Sequence, residues 1–162
     1  MSNRFVFIMP AYNAEDTISR AIMSVWFQTY PNWKIVIRDD MSSDDTIKMV
    51  GPDRLSFTAN SEKMWEIRNI VEGLDECDSN DIVCRLDGDD WLCDTDALSI
   101  INHRYETLKV DALWTAHRWS FSNHNISGPL PKDANPYEHP WVSSHLKTFR
   151  KRIIEDVSDA NF

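Results

Sequence analysis

The chain has 162 residues, 42% of them hydrophobic and 11% aromatic, which is enough to bury one substantial core and favours a single domain. Its 17 basic and 26 acidic residues give a formal net charge of −9, which argues against binding nucleic acid by phosphate neutralisation. No run of 18 apolar residues occurs, so we expect no transmembrane segment. The three cysteines include no CxxC pair, and we expect reduced thiols in a cytoplasmic protein.

Apolar patterning predicts strands that alternate with helices. Five consecutive apolar residues at 5–9, ended by Pro10, are typical of a central strand, and Asn13 is expected to cap a helix that runs to about Gln28. The other expected elements are strands at 33–37, 55–58, 82–86 and 112–116, helices at 46–50, 63–74 and 95–108, an irregular segment at 117–141 and a basic amphipathic helix at 143–155. This alternation predicts an α/β domain with a mostly parallel sheet flanked by helices.

Polar motifs follow three of these predicted strands: Pro10-Ala11-Tyr12-Asn13, Asp39-Asp40 and Asp87-Gly88-Asp89-Asp90. Ligands of α/β sheets bind beyond the carboxyl ends of the strands, so we expect the three motifs to share one edge. Asp39-Asp40 is either a turn or a carboxylate pair that accepts hydrogen bonds from a nucleobase or ribose. Arg68, on the helix predicted at 63–74, is either a solvated charge or a phosphate ligand.

Three carboxylates lie within four residues at Asp87, Asp89 and Asp90, where each disfavours ionisation of the others. A divalent cation relieves this repulsion, and oxygen ligands suit Mn²⁺ or Mg²⁺, which complete their shells with water and substrate phosphates. The alternative is a solvated acidic loop. The four glycines form neither a dinucleotide-binding nor a P-loop pattern, so a metal would have to handle any phosphates.

Four motifs in this order resemble the family 2 glycosyltransferases of the GT-A fold, over roughly residues 4–108. They are Pro10-Ala11-Tyr12-Asn13, Trp26-Phe27-Gln28-Thr29, the segment 39–46 and the segment 86–90. The resemblance implies a nucleotide-sugar donor, for which we favour UDP, together with Mn²⁺ or Mg²⁺. It also implies a glycan or other hydroxyl acceptor and, usually, inversion at the anomeric carbon.

The resemblance also implies roles for individual residues. Pro10, Ala11 and Tyr12 would frame the base, Asp40 would bind its edge with Asp39 adjacent, and Arg68 would contact the nucleotide. Asp87 would lie toward the ribose and Asp89 on the metal, with Asp90 supporting or replacing it. His145 is a further candidate for the metal and diphosphate.

Residues 1–108 are expected to form the donor-binding half, and residues 109–162 a partial acceptor-side region. An inverting transfer needs a base for the acceptor hydroxyl. Glu155-Asp156 is similar to the acidic pair of the family, which makes Asp156 the candidate, although a solvated helix end explains this pair better. We therefore expect a truncated catalytic domain, or part of a longer polypeptide, that lacks its base.

Two alternatives stay open. A sugar nucleotidyltransferase also combines an α/β sheet with metal-binding acids, but it usually has a glycine-rich basic loop after its first strand, which this chain lacks. A non-catalytic module that binds a nucleotide or glycan would explain the missing base.

Overall fold

A six-stranded sheet with helices on both faces forms the framework of the computed structural model, which describes residues 2–50, 55–135, 138–139, 142 and 146–155. The strands are β1 (Phe5–Ala11), β2 (Trp33–Asp39), β3 (Leu55–Ala59), β4 (Ile82–Arg85), β5 (Ala112–Trp114) and β6 (Lys147–Arg150). The helices are α1 (Ile18–Trp26), α2 (Trp65–Gly73) and α3 (Ala97–Leu108). Short 3₁₀ segments occupy Thr46–Met49, Leu74–Glu76 and Lys151–Ile154.

The strand order is β3-β2-β1-β4-β6-β5. The first four strands are parallel, whereas β6 runs antiparallel to both β4 and β5. This confirms the predicted α/β class with a mixed, mostly parallel sheet in one domain. The carboxyl ends of β1 to β5 therefore share one edge with the start of β6, where Lys147 lies opposite both Arg85 and Trp114.

The apolar core lies on both faces of this sheet. Alternate residues of β1 divide between the faces: Phe5, Phe7 and Met9 pack with α1 and α3, whereas Val6 and Ile8 face the α2 side. A strand covered on both sides must be apolar at every position, which is why residues 5–9 form an uninterrupted hydrophobic run. Cys84 is buried in this core.

Among the element ends that differ from the sequence prediction, those of β1 and α1 bear on the site. Strand β1 continues through Pro10 to Ala11, because β4 pairs with it only as far as Ile8 and a proline is tolerated where one side of a strand has no partner. Helix α1 begins at Ile18 rather than after Asn13. Asn13 adopts a positive φ of 49°, and its carboxamide oxygen accepts a hydrogen bond from the Ser43 amide instead of capping a helix.

The basic helix predicted at 143–155 is wrong for its described part. Residues 147–150 form β6, followed by a 3₁₀ segment, while 143–145 lie outside the described residues. The Thr148 side chain is buried and makes hydrogen bonds of 2.9 Å with the Tyr105 hydroxyl and the Leu113 carbonyl. Pairing on both sides with distant strands outweighs a local helical pattern here.

Among the residues that the structure describes, no helix has both the length and the apolar character needed to cross a membrane.

Candidate active site

The loops that follow β1 and β2 are joined by side-chain hydrogen bonds. The Asn13 amide donates to Ser42 Oγ over 2.9 Å, and the Ala14 amide donates to Thr46 Oγ1 over 2.8 Å. In return, the Ser43 amide donates to Asn13 Oδ1 over 2.9 Å. The hydroxyl residues of segment 39–46 thus hold the Pro10-Ala11-Tyr12-Asn13 loop in place, and the first two sequence motifs form one structural unit.

Asp39 closes the turn after β2. Its buried carboxylate accepts hydrogen bonds from the Ser42 amide at 3.1 Å and from Ser42 Oγ at 2.5 Å. Met41, within the turn from Asp39 to Ser42, has a positive φ of 64°. Of the two sequence interpretations, the turn describes the contacts of Asp39.

Asp40 anchors the segment that follows β3. One carboxylate oxygen accepts from the Asn60 carboxamide at 3.1 Å and from the Met64 amide at 2.7 Å. The other accepts from the Trp65 amide at 3.0 Å and lies 3.3 Å from Lys63 Nζ. These contacts draw the beginning of α2 onto the end of β2.

The same contacts fix the ionisation of Asp40, which is only 5% exposed. Burial by itself would raise the pKa of this carboxyl. Hydrogen bonds from the Met64 backbone, the Asn69 and Asn60 side chains and the Trp65 backbone outweigh burial and lower the pKa to about 2. Asp40 is therefore a carboxylate at neutral pH.

An aromatic group stands beside Asp40 and was missed from the sequence. Trp65 and Ile67 lie in the helix predicted at 63–74, and their exposed fractions are 72% and 63%. Trp65 has a φ of 63°, and Lys63 Nζ lies over the Tyr12 ring and 5.6 Å from the centroid of the Trp65 ring. The sequence offered one indication of this group: segment 60–65 directly follows a predicted strand, as the three polar motifs do.

The acidic segment 87–90 packs against the start of the first motif. Its turn is closed by a 3.0 Å hydrogen bond from the Asp90 amide to the Asp87 carbonyl. A Cβ atom on the buried Gly88 would lie 3.2 Å from Ile18 Cδ1 and 3.5 Å from the Pro10 carbonyl oxygen, so the acidic segment approaches the first motif closely at this position. Asp89 is exposed, while Asp87 and Asp90 are half-buried.

Two arginines lie near this edge with different partners. Arg85, at the end of β4, forms ion pairs with Glu66 of α2 and with Asp87 at 3.4 Å. The Arg68 side chain on α2 is 60% exposed and lies 3.4 Å from Glu72. The structure thus places Arg68 on the open surface of α2, and it adds Arg85 as a cation beside the acidic segment.

No group of three or more His, Cys, Asp or Glu side chains suited to a metal ion is assembled within the described ranges. The oxygen donors of Asp87, Asp89 and Asp90 nonetheless fit Mn²⁺ or Mg²⁺, because such ions take one or two carboxylates and complete the shell with water and substrate phosphates. Two other predicted site residues, His145 and Asp156, lie outside the described residues.

Two solved structures resemble this fold. Staphylococcus aureus TarS in complex with UDP matches with a TM-score of 0.76 and 18% identity, over 94% of this chain and 48% of that chain. The mannosyltransferase PcManGT from Pyrobaculum calidifontis, in complex with GDP-Man and Mn²⁺, matches with a TM-score of 0.72 and 20% identity, over 96% of this chain and 46% of that chain. Both likenesses establish the GT-A fold, and the chain spans about half the length of either structure.

Sequence comparison gives the family. The chain is 62% identical over 39 residues to the Escherichia coli UDP-Glc:alpha-D-GlcNAc-diphosphoundecaprenol beta-1,3-glucosyltransferase WfgD, a match that covers 24% of this chain and 15% of the relative. The family model for glycosyl transferase family 2 matches residues 6–157, which contain all the strands and helices described above except Phe5, the first residue of β1. The chain therefore belongs to glycosyl transferase family 2.

Proposed function

We propose that this chain provides the donor-binding site of a glycosyltransferase that transfers a sugar from a UDP-type nucleotide sugar to a hydroxyl group of a glycan or other acceptor. The observation that carries the proposal is the convergence of two different groups at one sheet edge. Tyr12 and Asp40 supply a ring and a buried carboxylate, and the acidic segment 87–90 lies against the same loop. A ring and an acceptor suit a base, while the acids suit a metal-bound diphosphate.

In this proposal Pro10, Ala11 and Tyr12 frame the base, and Asp40 accepts a hydrogen bond from its edge. An ionised carboxylate only accepts hydrogen bonds, so its partner must be a donor. Uracil offers such a donor, a ring N–H group, on the edge that would face Asp40. Stacking on an exposed tyrosine adds affinity for any planar base. Asp39 supports Asp40 by fixing the turn on which both lie.

Three further side chains would hold the phosphates. Arg68 would leave its ion pair with Glu72 and bind a phosphate oxygen. Asp87 would lie toward the ribose. Asp89 would hold the divalent ion, supported by Asp90. Mn²⁺ or Mg²⁺, when bound there, would stabilise the negative charge of the departing diphosphate. The structure of PcManGT, which has a similar fold and contains GDP-Man and Mn²⁺, supports the combination of a nucleotide sugar with a divalent ion.

The acceptor side and the stereochemistry also belong to the proposal. We assign residues 1–108 to donor binding and the remainder to the acceptor side, and we propose that the transfer inverts the anomeric carbon. Asp156 stays a candidate base and His145 a candidate ligand on the metal side. A cytoplasmic location fits the free cysteines Cys77, Cys84 and Cys93.

Titration calorimetry with UDP tests the proposal, with and without Mn²⁺. We expect binding that Mn²⁺ strengthens, and a loss of about tenfold or more in affinity for Asp89→Ala in the presence of the metal. Asp75→Ala is the matched control, because Asp75 is an exposed aspartate outside the motifs. Metal-independent binding of equal strength in the wild-type and Asp89→Ala chains would contradict the metal assignment, and no binding of UDP at all would contradict the function.

A further inference from the structure

The ammonium group of Lys63 lies where the proposed site would receive its base. Lys63 Nζ is 3.2 Å from the Asp40 backbone oxygen and 3.3 Å from Asp40 Oδ2, and it stands directly over the Tyr12 ring. In the proposed function, the base stacks on the same Tyr12 ring and donates a hydrogen bond to the same Asp40 carboxylate. An ammonium group and a planar base cannot occupy that position together.

We propose that Lys63 is a built-in competitor for the nucleobase, and that donor binding requires its side chain to leave Asp40 and Tyr12. The proposal rests on the proposed function, because it concerns the same site. It adds a residue that sets the strength of base binding and that none of the motifs contains.

The contacts of Asp40 explain how such an exchange leaves the site intact. Three of its donors, from Asn60, Met64 and Trp65, belong to the backbone or to a short side chain and hold their places without Lys63. When Lys63 leaves, Oδ2 keeps the Trp65 amide and regains one acceptor position. A base N–H can then take that position.

The balance of interactions favours the exchange. The side chain of Lys63 is 30% exposed, so its ion pair with Asp40 is partly screened by solvent, and the freed ammonium regains full hydration. The base gains a hydrogen bond to a charged, buried carboxylate together with stacking on Tyr12. Lys63 therefore weakens base binding without preventing it.

Trp65 supports a site at this position independently of Lys63. Trp65 is 72% exposed, so it has no structural role in the core. Its φ of 63° is also unusual for a bulky side chain. Backbone conformations of this kind persist where neighbouring contacts hold them, and they cluster at binding sites. Here the hydrogen bond from the Trp65 amide to Asp40 holds the conformation next to the Lys63 ammonium.

Uridine is the probe for the test, because it carries the base without the phosphates. Ligand-observed NMR titrations would compare the wild-type chain with Lys63→Met, which keeps the apolar stem but removes the ammonium. We expect Lys63→Met to bind uridine about three- to tenfold more tightly. Lys63→Arg keeps a cation and should bind uridine about as weakly as the wild-type chain, and Lys132→Met is the control for removing an exposed lysine elsewhere.

Thermal melting establishes that each variant is folded, and Lys63→Gln replaces Lys63→Met if the latter does not fold, with the same expected direction. Unchanged or weaker uridine binding in the uncharged variant would overturn the proposal. If UDP binds the wild-type chain while this comparison fails, the proposed function stands and the role of Lys63 falls. If neither uridine nor UDP binds any of the chains, the proposed function falls and takes this inference with it.

Discussion

At the scale of single residues, Asp40 organises the site because its carboxylate is the common partner of groups from a separate segment. The donors Asn60 and Met64 lie in the stretch that connects β3 to α2, and Trp65 is the first residue of α2. A buried carboxylate without such donors would carry a large desolvation cost. Asp40 therefore stabilises the folded chain only while it is charged, which links stability to pH.

We expect Asp40 to contribute acid sensitivity. Its pKa of about 2 in the folded chain is below its ordinary value of 3.8, so the unfolded chain binds more protons between these values. The stabilisation is complete above about pH 4, amounts to roughly 2 kcal/mol, and is lost as the pH falls through about 2. Urea unfolding of the wild-type chain and Asp40→Asn from pH 6 downward measures it.

The free energy of unfolding should be lower for Asp40→Asn at pH 6, and the gap between the two chains should shrink as the pH falls from 4 toward 2. Asp75→Asn, which alters an exposed carboxylate, should show no such convergence. A gap that stayed constant over this range would show that the charge of Asp40 is not what stabilises the fold.

At the scale of secondary-structure elements, the contact between α2 and β1 depends on a residue without a side chain. A Cβ atom on Gly73, at the end of α2, would lie 2.7 Å from Ile8 Cγ2. Ile8 is fully buried in the centre of the sheet, and its β-branched side chain is stiff at χ1. The helix can thus approach the strand this closely only with glycine at position 73.

Gly73→Ala should therefore destabilise the chain, even though alanine is the better helix former by about 1 kcal/mol. Overpacking at a rigid contact typically costs about 1–3 kcal/mol, so we expect a net loss of about 1 kcal/mol or more in the free energy of unfolding. Chemical denaturation measures this loss. Gly128→Ala is the matched control, since nothing lies within 4 Å of the position of its Cβ, and equal stability of the two variants would contradict the close contact.

The strands that could be predicted from the sequence are those whose own apolar pattern determines them. Strands β1, β2 and β4 lie in the centre of the sheet, and their apolar residues identify them in the sequence. Residues 5–9 of β1 and 82–84 of β4 are continuous apolar runs, and β2 is apolar at Trp33 and at residues 35–37. Strand β6 was not predictable, because its four residues become a strand only by pairing with β4 and β5, and its basic side chains mimic the exposed face of a helix. Short strands with distant partners carry little signal of their own.

The candidate site shows the same division. Motif order predicted that Tyr12, Asp40 and the acidic segment 87–90 share one edge, because parallel strands bring their carboxyl ends together. The contacts of Asp40 with Lys63 and Trp65 were not predictable, since they depend on how segment 60–65 folds back over the end of β2. Sequence pattern located the edge of the site but not the side chains that complete its base-binding part.

At the scale of the whole molecule, the negative net charge of the chain opposes binding of the proposed ligand. The chain carries a net charge of −9, and UDP is itself a multiply charged anion. The acids of the candidate site add to this repulsion locally, with Asp87, Asp89 and Asp90 next to the expected diphosphate position. A divalent ion on the diphosphate removes most of the ligand's negative charge, which explains why an acidic chain can serve such a donor.

We expect the affinity of the chain for UDP to depend on salt in an unusual direction. Without a divalent ion, UDP should bind this chain more tightly at about 200 mM than at about 20 mM KCl, because salt screens repulsion between like charges over a Debye length of about 7–20 Å in this range. With saturating Mn²⁺ the dependence should shrink. Neutral uridine is the matched control and should show a much smaller dependence than UDP, because it carries no charge for the chain to repel. Fluorescence titration at the two salt concentrations would measure all three cases. A UDP affinity that falls with salt in the absence of Mn²⁺ would show that nearby cations such as Lys63, Arg68 and Arg85 govern the local potential, rather than the acidic balance of the chain.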